Sequence, residues 1–313
     1  MIRLIALLAL PLAAEVTVRQ AEGRIDVSVD GAPFTSFYYG AEAPKPFLHP
    51  LRSASGKIVT RRYPMEQVPG ESRDHPHHRG LWITHGDVNG LDFWMNEPQS
   101  RGNRKGLVRL KRVERARGGR QGLISAVFEW IDPTGGKVLL NEYRTMTFGA
   151  DPGQRWIDFD VRFEAVEKVK FGDTKEGTFA IRLADALAEK NGGRMVNALG
   201  AETMKNVWGK RAPWVDYSGQ LDGEHLGIAI FDHPKNPRHP TYWHARDYGL
   251  FAANIFGEHD FLADKTRDGS LTLEAGNSLR FRYRVWIHPG NLSQSEVSRQ
   301  YEQWSEQTQR SRR

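Results

Sequence analysis

The sequence predicts an all-β fold, a large antiparallel β-sandwich with one C-terminal helix, on three observations. Segments alternating apolar and polar residues recur along the whole chain, as in residues 155–164 (RWIDFDVRFE), where Trp156, Phe159, Val161 and Phe163 supply the apolar set. Glycine-containing turns join them at Asp30-Gly31, Gly118-Gly119 and Gly135-Gly136. Helical periodicity is nearly absent in between, which argues against alternating strand and helix units.

The elements follow in order. Arg3 gives a positive start, residues 4–12 are apolar, and Ala13-Ala14 are small. Residues 1–14 therefore read as an export signal peptide, with an apolar run too short to cross a bilayer as a stable helix. Residues 15–313 read as a single β-sandwich domain, periplasmic or secreted. Residues 16–18 and 25–29 alternate, and 34–39 follow the Asp30-Gly31 turn. Residues 41–50 (AEAPKPFLHP) are a proline-rich loop, and a short strand is expected around Ile58-Val59. Further strands are expected over 106–115, 123–132, 137–148, 155–164, 226–231, 250–255 and 279–287. Residues 181–190 read as a short helix or an irregular segment. At the C-terminus, Ser293 to Glu296 fits a capping box, and Val297, Tyr301 and Trp304 recur at helical spacing.

Composition narrows the class. With 39 % hydrophobic and 26 % charged residues the 313-residue chain is globular, and nine tryptophans leave rings for both core and binding. The absence of cysteine excludes disulfides, a lipid-modified N-terminal cysteine, a thiolate metal site and a cysteine nucleophile. Nine of the basic residues lie in residues 101–120, but four glycines break that run and no aromatic ring interleaves with it. A solvated hairpin explains it better than a nucleic-acid patch, and no nucleic-acid partner or membrane insertion is expected.

Three polar clusters stand out. Residues 74–97 (DHPHHRGLWITHGDVNGLDFWMNE) carry His75, His77, His78 and His85 beside four acids and two tryptophans. Imidazoles with carboxylates and rings are the parts of a site for a small ring-shaped molecule or a metal. Residues 171–177 bracket Asp173, Lys175 and Glu176 with glycines, and a lysine beside carboxylates shifts pKa values toward acid–base work. Residues 231–244 hold His233, His239, His244 and Trp243 among three prolines that stiffen the loop. Between them, residues 208–217 (WGKRAPWVDY) offer Trp208, Arg211 and Trp214. The competing structural readings are buried histidine networks, a charged surface turn and a rigid crossover.

The strings DHPHHRGLWITHGDVNGLDFW, FGDTKEGTFAIR, WGKRAPWVDYSG and FDHPKNPRHPTYWHARDYGLFAANIFG resemble the bacterial family catalogued as PmoA-like or DUF6807, whose members are mostly exported. The resemblance runs over nearly all of residues 15–313. It implies the galactose-mutarotase-like supersandwich, a two-sheet fold associated with sugar chemistry, while the family label implies a metal-dependent oxygenase.

The reading is a carbohydrate-active enzyme (epimerase, lyase or hydrolase) acting on a sugar or glycoside by histidine–carboxylate acid–base chemistry. His78, His85, Glu176 and His244 are the candidate catalytic residues. Asp87, Asn89, Asp173, Lys175, Arg182, Arg211, His233 and His239 are the candidates for holding substrate, with Trp208, Trp214 and Trp243 as walls. The alternatives are a non-catalytic carbohydrate-binding protein and a histidine-ligated oxygenase. No cofactor is expected; a divalent metal is compatible with the histidines, though no metal-binding spacing is present. The three clusters are expected to converge on one cleft.

Overall fold

The computed structural model describes residues 14–102, 104–290 and 292–310, with 309 and 310 described by backbone alone. Most of the expected export signal, residues 1–13, lies outside the described residues. Strands β1 (Val16–Ala21), β2 (Arg24–Val29), β3 (Ala32–Tyr38), β4 (Phe47–His49) and β5 (Leu81–His85) come first. Four long strands follow as a meander, β6 (Leu107–Arg117), β7 (Gly122–Asp132), β8 (Lys137–Asp151) and β9 (Gln154–Ala165). Then come β10 (Val169–Phe171), β11 (Gly177–Arg182), β12 (Arg194–Asn197), β13 (Trp214–Leu221), β14 (Glu224–Asp232), β15 (Tyr242–Ala245), β16 (Leu250–Asn254), β17 (Leu271–Leu273) and β18 (Ser278–Pro289). The helices are α1 (Thr203–Val207), α2 (Glu258–Phe261) and α3 (Gln294–Arg310).

Two eight-stranded sheets result. The first has the order β1-β2-β3-β4-β5-β11-β16-β15 and the second β12-β13-β14-β18-β9-β8-β7-β6, with β10 and β17 as a separate pair. The strand pairings are antiparallel throughout. Alternation explains the sandwich. Leu81, Ile83, Phe179, Ile181, Phe251 and Trp243 of the first sheet meet Phe159, Phe163, Phe281, Tyr283 and Tyr217 of the second in one core. The sheets interlock through rings, with Phe179 stacked on Tyr283 at 4.5 Å and Tyr217 on Phe251 at 4.5 Å.

The C-terminal helix follows its sequence signal. Ser293 and Glu296 cap each other, with the Ser293 amide donating to the Glu296 carboxylate at 2.8 Å. Val297 and Trp304 then bury against Trp156, Trp214, Phe231 and Trp286 on the outer face of the second sheet. Trp214 is therefore a roof beam between sheet and helix, not the wall of a polar site.

Three local expectations change. Residues 41–50 contain β4 despite their prolines, because Phe47 and Leu48 complete the ladder from β3 to β5. Ile58 and Thr60 form only isolated bridges, to Arg52 and Leu183. Residues 181–190 end β11 and continue as two short 3-10 turns, Asp185–Leu187 and Glu189–Asn191. Among the described residues no helix is long and apolar enough to cross a membrane.

Candidate functional site

β5 is flanked by two long connections, residues 50–80 and 86–106, whose described residues form no named strand or helix. Connections of that length inside a compact domain are usually functional. The outer face of the first sheet beneath them is read from the register. Tyr38, Phe47, Trp82, Ala180, Ala252 and His244 lie in one row across six strands. Trp82, Trp94, Phe47, Ala180, Leu250 and Ala252 pack together under the loops, with Tyr248 against them.

Buried ion pairs tie the loops down. Arg79 grips Glu97 through two nitrogens at 2.8 and 2.7 Å. Lys45, fully buried, donates to the Trp94 carbonyl at 2.5 Å and to Asn96 Oδ1 at 3.0 Å. Burial lowers the Lys45 ammonium to about 7, against the pull of Glu97. Arg61 and Arg182, both without exposed side-chain surface, share a single oxygen of Asp74. Arg182 donates to it at 2.8 Å and Arg61 at shorter range. Burial alone would push the Asp74 carboxyl up, but Arg182, His75 and Arg61 outweigh it and hold that group below the ordinary carboxylate range.

The histidines of the 74–97 cluster are packed as rings. His75 stacks on His78 at 4.7 Å and on Tyr248 at 5.1 Å, His77 meets His78 edge-on at 4.4 Å, and His78 stacks on Trp82 at 5.3 Å. Their stacking is a packing arrangement rather than a coordination shell. Among the described residues no group of three or more histidines and carboxylates is arranged to hold a metal ion. Burial keeps the two inner rings neutral: His77 is lowered to about 2, and His78 well below its ordinary value.

Hydrogen-bond partners fix the tautomers. A guanidinium only donates, so Arg182 at 3.2 Å makes His78 Nδ1 an acceptor and leaves the proton on Nε2. A carbonyl only accepts, so His244 donates from Nδ1 to Lys175 at 3.0 Å. That bond and one from Asn254 to the Thr174 carbonyl at 2.8 Å fold the 172–176 loop over the outer face. Burial, then Arg246 and Lys175, lower His244 to about 3.

His78, Arg182, Lys175, Glu176 and His244 thus belong to one face of one sheet. Depth separates them. His78, Arg182 and His244 are buried, whereas Asp74 and His75 retain 38 % and 39 % of their side-chain surface and Glu176 25 %. The front of the site is made of Asp74, His75, Glu176, Arg246 and Tyr248. His75 Nδ1 lies 3.2 Å from the shared Asp74 oxygen. Glu176 pairs with Lys175 at 3.1 Å and lies near enough to Tyr248 to raise its phenol, which burial chiefly raises. Of these five, Asp74, His75, Arg246 and Tyr248 were not among the sequence candidates. His244, Arg246 and Tyr248 stand at alternate positions, which is the signal that would have found the last two.

Other candidates sit elsewhere, each for a definite reason. His85 points into the core, donating from Nε2 to the Gly172 carbonyl at 2.8 Å, and its ring leaves no room for a side chain at Gly177. Trp243 also faces the core and donates to the Ala212 carbonyl at 2.8 Å. His233 bonds Thr308 of α3 at 2.9 Å and packs on Trp304. His239 bonds buried Asp232 at 2.7 Å, closing its own loop. Asp87 caps a turn at Gly90, and Asn89 clamps β10 through Lys168 and Lys170. Asp173 accepts from the amides of His259 and Gly269. Arg211 donates to the carbonyls of Pro240 and Arg238. Trp208 lies at the margin, its ring 5.6 Å from Phe261, which in turn is 6.5 Å from His244. The three loop clusters therefore contribute unequally, and residues 231–241 contribute nothing to this face. A cleft of about 1190 Å³ runs between α3 and the end of the sandwich, lined by Arg155, Trp156 and Gln303 among others and holding none of these histidines.

Comparison with known proteins decides the family. The profile of a family of unknown function, DUF6807, matches residues 24–302. The chain belongs to that family. No curated protein matches its sequence. Among solved structures, a galactose mutarotase-like protein from Clostridium acetobutylicum is similar at 9 % identity and a TM-score of 0.44, covering 88 % of this chain and 98 % of its own. An α-galactosidase from Lactobacillus brevis gives 7 % and 0.43, over 89 % of this chain and 40 % of its own. One from Geobacillus stearothermophilus gives 9 % and 0.43, over 89 % and 41 %.

Proposed function

We propose that this family member is a carbohydrate-active enzyme working by acid–base chemistry at the front of the first sheet. Glu176 serves as the proton acceptor. His75, with the Asp74 carboxylate beside its Nδ1, serves as the second proton-transfer group, and Tyr248 as a hydrogen-bond donor and stacking surface. His78 and His244 act from behind as fixed, neutral supports, since rings lowered this far are weak bases and reach no ligand directly. The observation that carries the reading is the half-exposed pair of Asp74 and His75, with His75 stacked on the Tyr248 ring whose phenol Glu176 also raises, seated on a clamped and otherwise buried polar layer.

The same front suits a binding protein with no turnover, because the layer beneath it is already filled. One experiment separates the two. Proton NMR of sugars and glycosides incubated with the wild type would report epimerisation, elimination or hydrolysis alike. Turnover should drop on the order of a hundredfold or more in Glu176→Gln and in His75→Asn, while Arg104→Ala, whose exposed side chain pairs with Asp132, keeps it. Binding without turnover would favour the non-catalytic reading. Neither binding nor turnover of any sugar would sink both. We further propose that the protein is exported, which cell fractionation followed by mass determination of the mature N-terminus would test.

A further inference from the structure

β15 runs into a tight hairpin, residues 246–249, held by the Arg246 amide on the Leu250 carbonyl at 2.8 Å and the Gly249 amide on the Arg246 carbonyl at 3.1 Å. Gly249 supplies the positive φ this turn requires. The buried Tyr217 hydroxyl adds a bond to the Arg246 carbonyl at 3.1 Å, so the backbone here is set before any ligand arrives.

The Arg246 side chain is the exception in this layer. Arg61 and Arg182 have Asp74, and Arg79 has Glu97. Arg211 and Arg238 are spent on carbonyls. Among the described residues the Arg246 guanidinium has no carboxylate or carbonyl partner, and its Nε is buried without any hydrogen bond. It lies 5.7 Å from the centre of the Tyr248 ring, and Arg182 lies 4.6 Å from the same ring. Two guanidiniums thus reach Tyr248, and the carboxylates near it are already taken, Asp74 by Arg61 and Arg182 and Glu176 by Lys175. A half-buried cation left without a counter-charge costs free energy that a bound anion would recover. The fork of a guanidinium fits a planar or tetrahedral oxyanion through two parallel bonds.

We infer that the ligand of this site is a sugar bearing an anionic substituent, a carboxylate or a sulfate, received by Arg246 beside Tyr248. The inference rests on the carbohydrate reading and narrows it to acidic sugars. Titration calorimetry at constant ionic strength tests it with D-glucuronate and D-galacturonate, galactose 6-sulfate, and neutral glucose and galactose. An acidic sugar should bind roughly tenfold or more tightly than its neutral counterpart, as expected for a charge-assisted contact. Preference for the uronates assigns the anion as carboxylate, and preference for the sulfated sugar assigns it as sulfate. Arg246→Gln should bring the acidic sugar down to the level of the neutral one, and Arg246→Lys should keep part of the difference while confirming that the hairpin still folds. Neutral sugars binding as well as acidic ones, or a preference that survives Arg246→Gln, would overturn this inference alone. Failure of every sugar to bind would take the carbohydrate reading down with it.

Discussion

The outer faces of the two sheets carry the same kinds of residue and use them differently. On the second sheet, Arg280 and Arg284 hold Asp160 and Asp158 through two nitrogens each at 2.6–2.7 Å, and Arg282 also reaches Asp160 at 3.4 Å. Arg162 pairs with Glu164, and buried His288 lies 3.0 Å from Asp216. Three tryptophans there, Trp156, Trp214 and Trp286, are roofed by α3 through its own Trp304. On the first sheet Arg61 and Arg182 likewise share Asp74, but Arg246 has no carboxylate partner among the described residues, and the histidines pack on one another as rings. Composition does not tell these faces apart. Pairing does, because a face whose charges cancel locally has nothing left to offer a ligand.

The comparison can be broken from the scaffold side first. Trp304→Ala should cost about 3–5 kcal/mol in a denaturant titration, since the ring is buried between α3 and the sheet. Binding measured on the folded fraction should not change. A loss below about 1 kcal/mol would mean the roof is dispensable and the two faces are less distinct than they look.

Acid sharpens it next. Burial lowers His49, His77, His78, His85, His233 and His244 below the ordinary histidine value. The unfolded chain then binds more protons than the folded one below about pH 6.5, so stability is full above that pH and falls as pH drops toward 4 and below. Burial raises Asp92 and Asp232, which act in the opposite sense but are fewer. The melting temperature should therefore fall steadily between about pH 6.5 and 4. A flat profile over that interval would show that the ring layer is not sealed.

The smallest effect belongs to the paired face. Arg280→Ala removes a half-exposed partner of Asp160 and should cost no more than about 1 kcal/mol. Several kilocalories would mean that the ladder of ion pairs carries the second sheet, not its tryptophans.

Sequence made the scaffold legible where strands have one wet face. β7, β8, β9 and β18 alternate because their outer residues meet solvent or each other, and α3 announced itself through its cap and spacing. β11, β13 and β16 are covered on both sides, so alternation is missing, and the sequence reads residues 181–190 as a short helix or irregular segment and residues 208–217 as ligand-facing. The site was legible as composition, not as direction. A tryptophan or histidine in a strand faces the core or the outer layer by parity, and parity needs the register. Trp243 and His244 are neighbours in sequence and point to opposite faces. Likewise the histidine motif named the right loop, but only the fold shows His75 in front and His78 behind it.

The tautomers have one more consequence. A proton travels through an imidazole only if it can enter at one nitrogen and leave from the other. His78 ends on a guanidinium, and His85 and His244 end on backbone carbonyls, none of which exchanges protons near neutrality. The layer beneath the site is therefore a proton insulator. Under the proposed acid–base reading, any hydrogen moved would exchange with solvent through His75, Glu176 or Tyr248, since the rings of His78, His85 and His244 do not pass it inward.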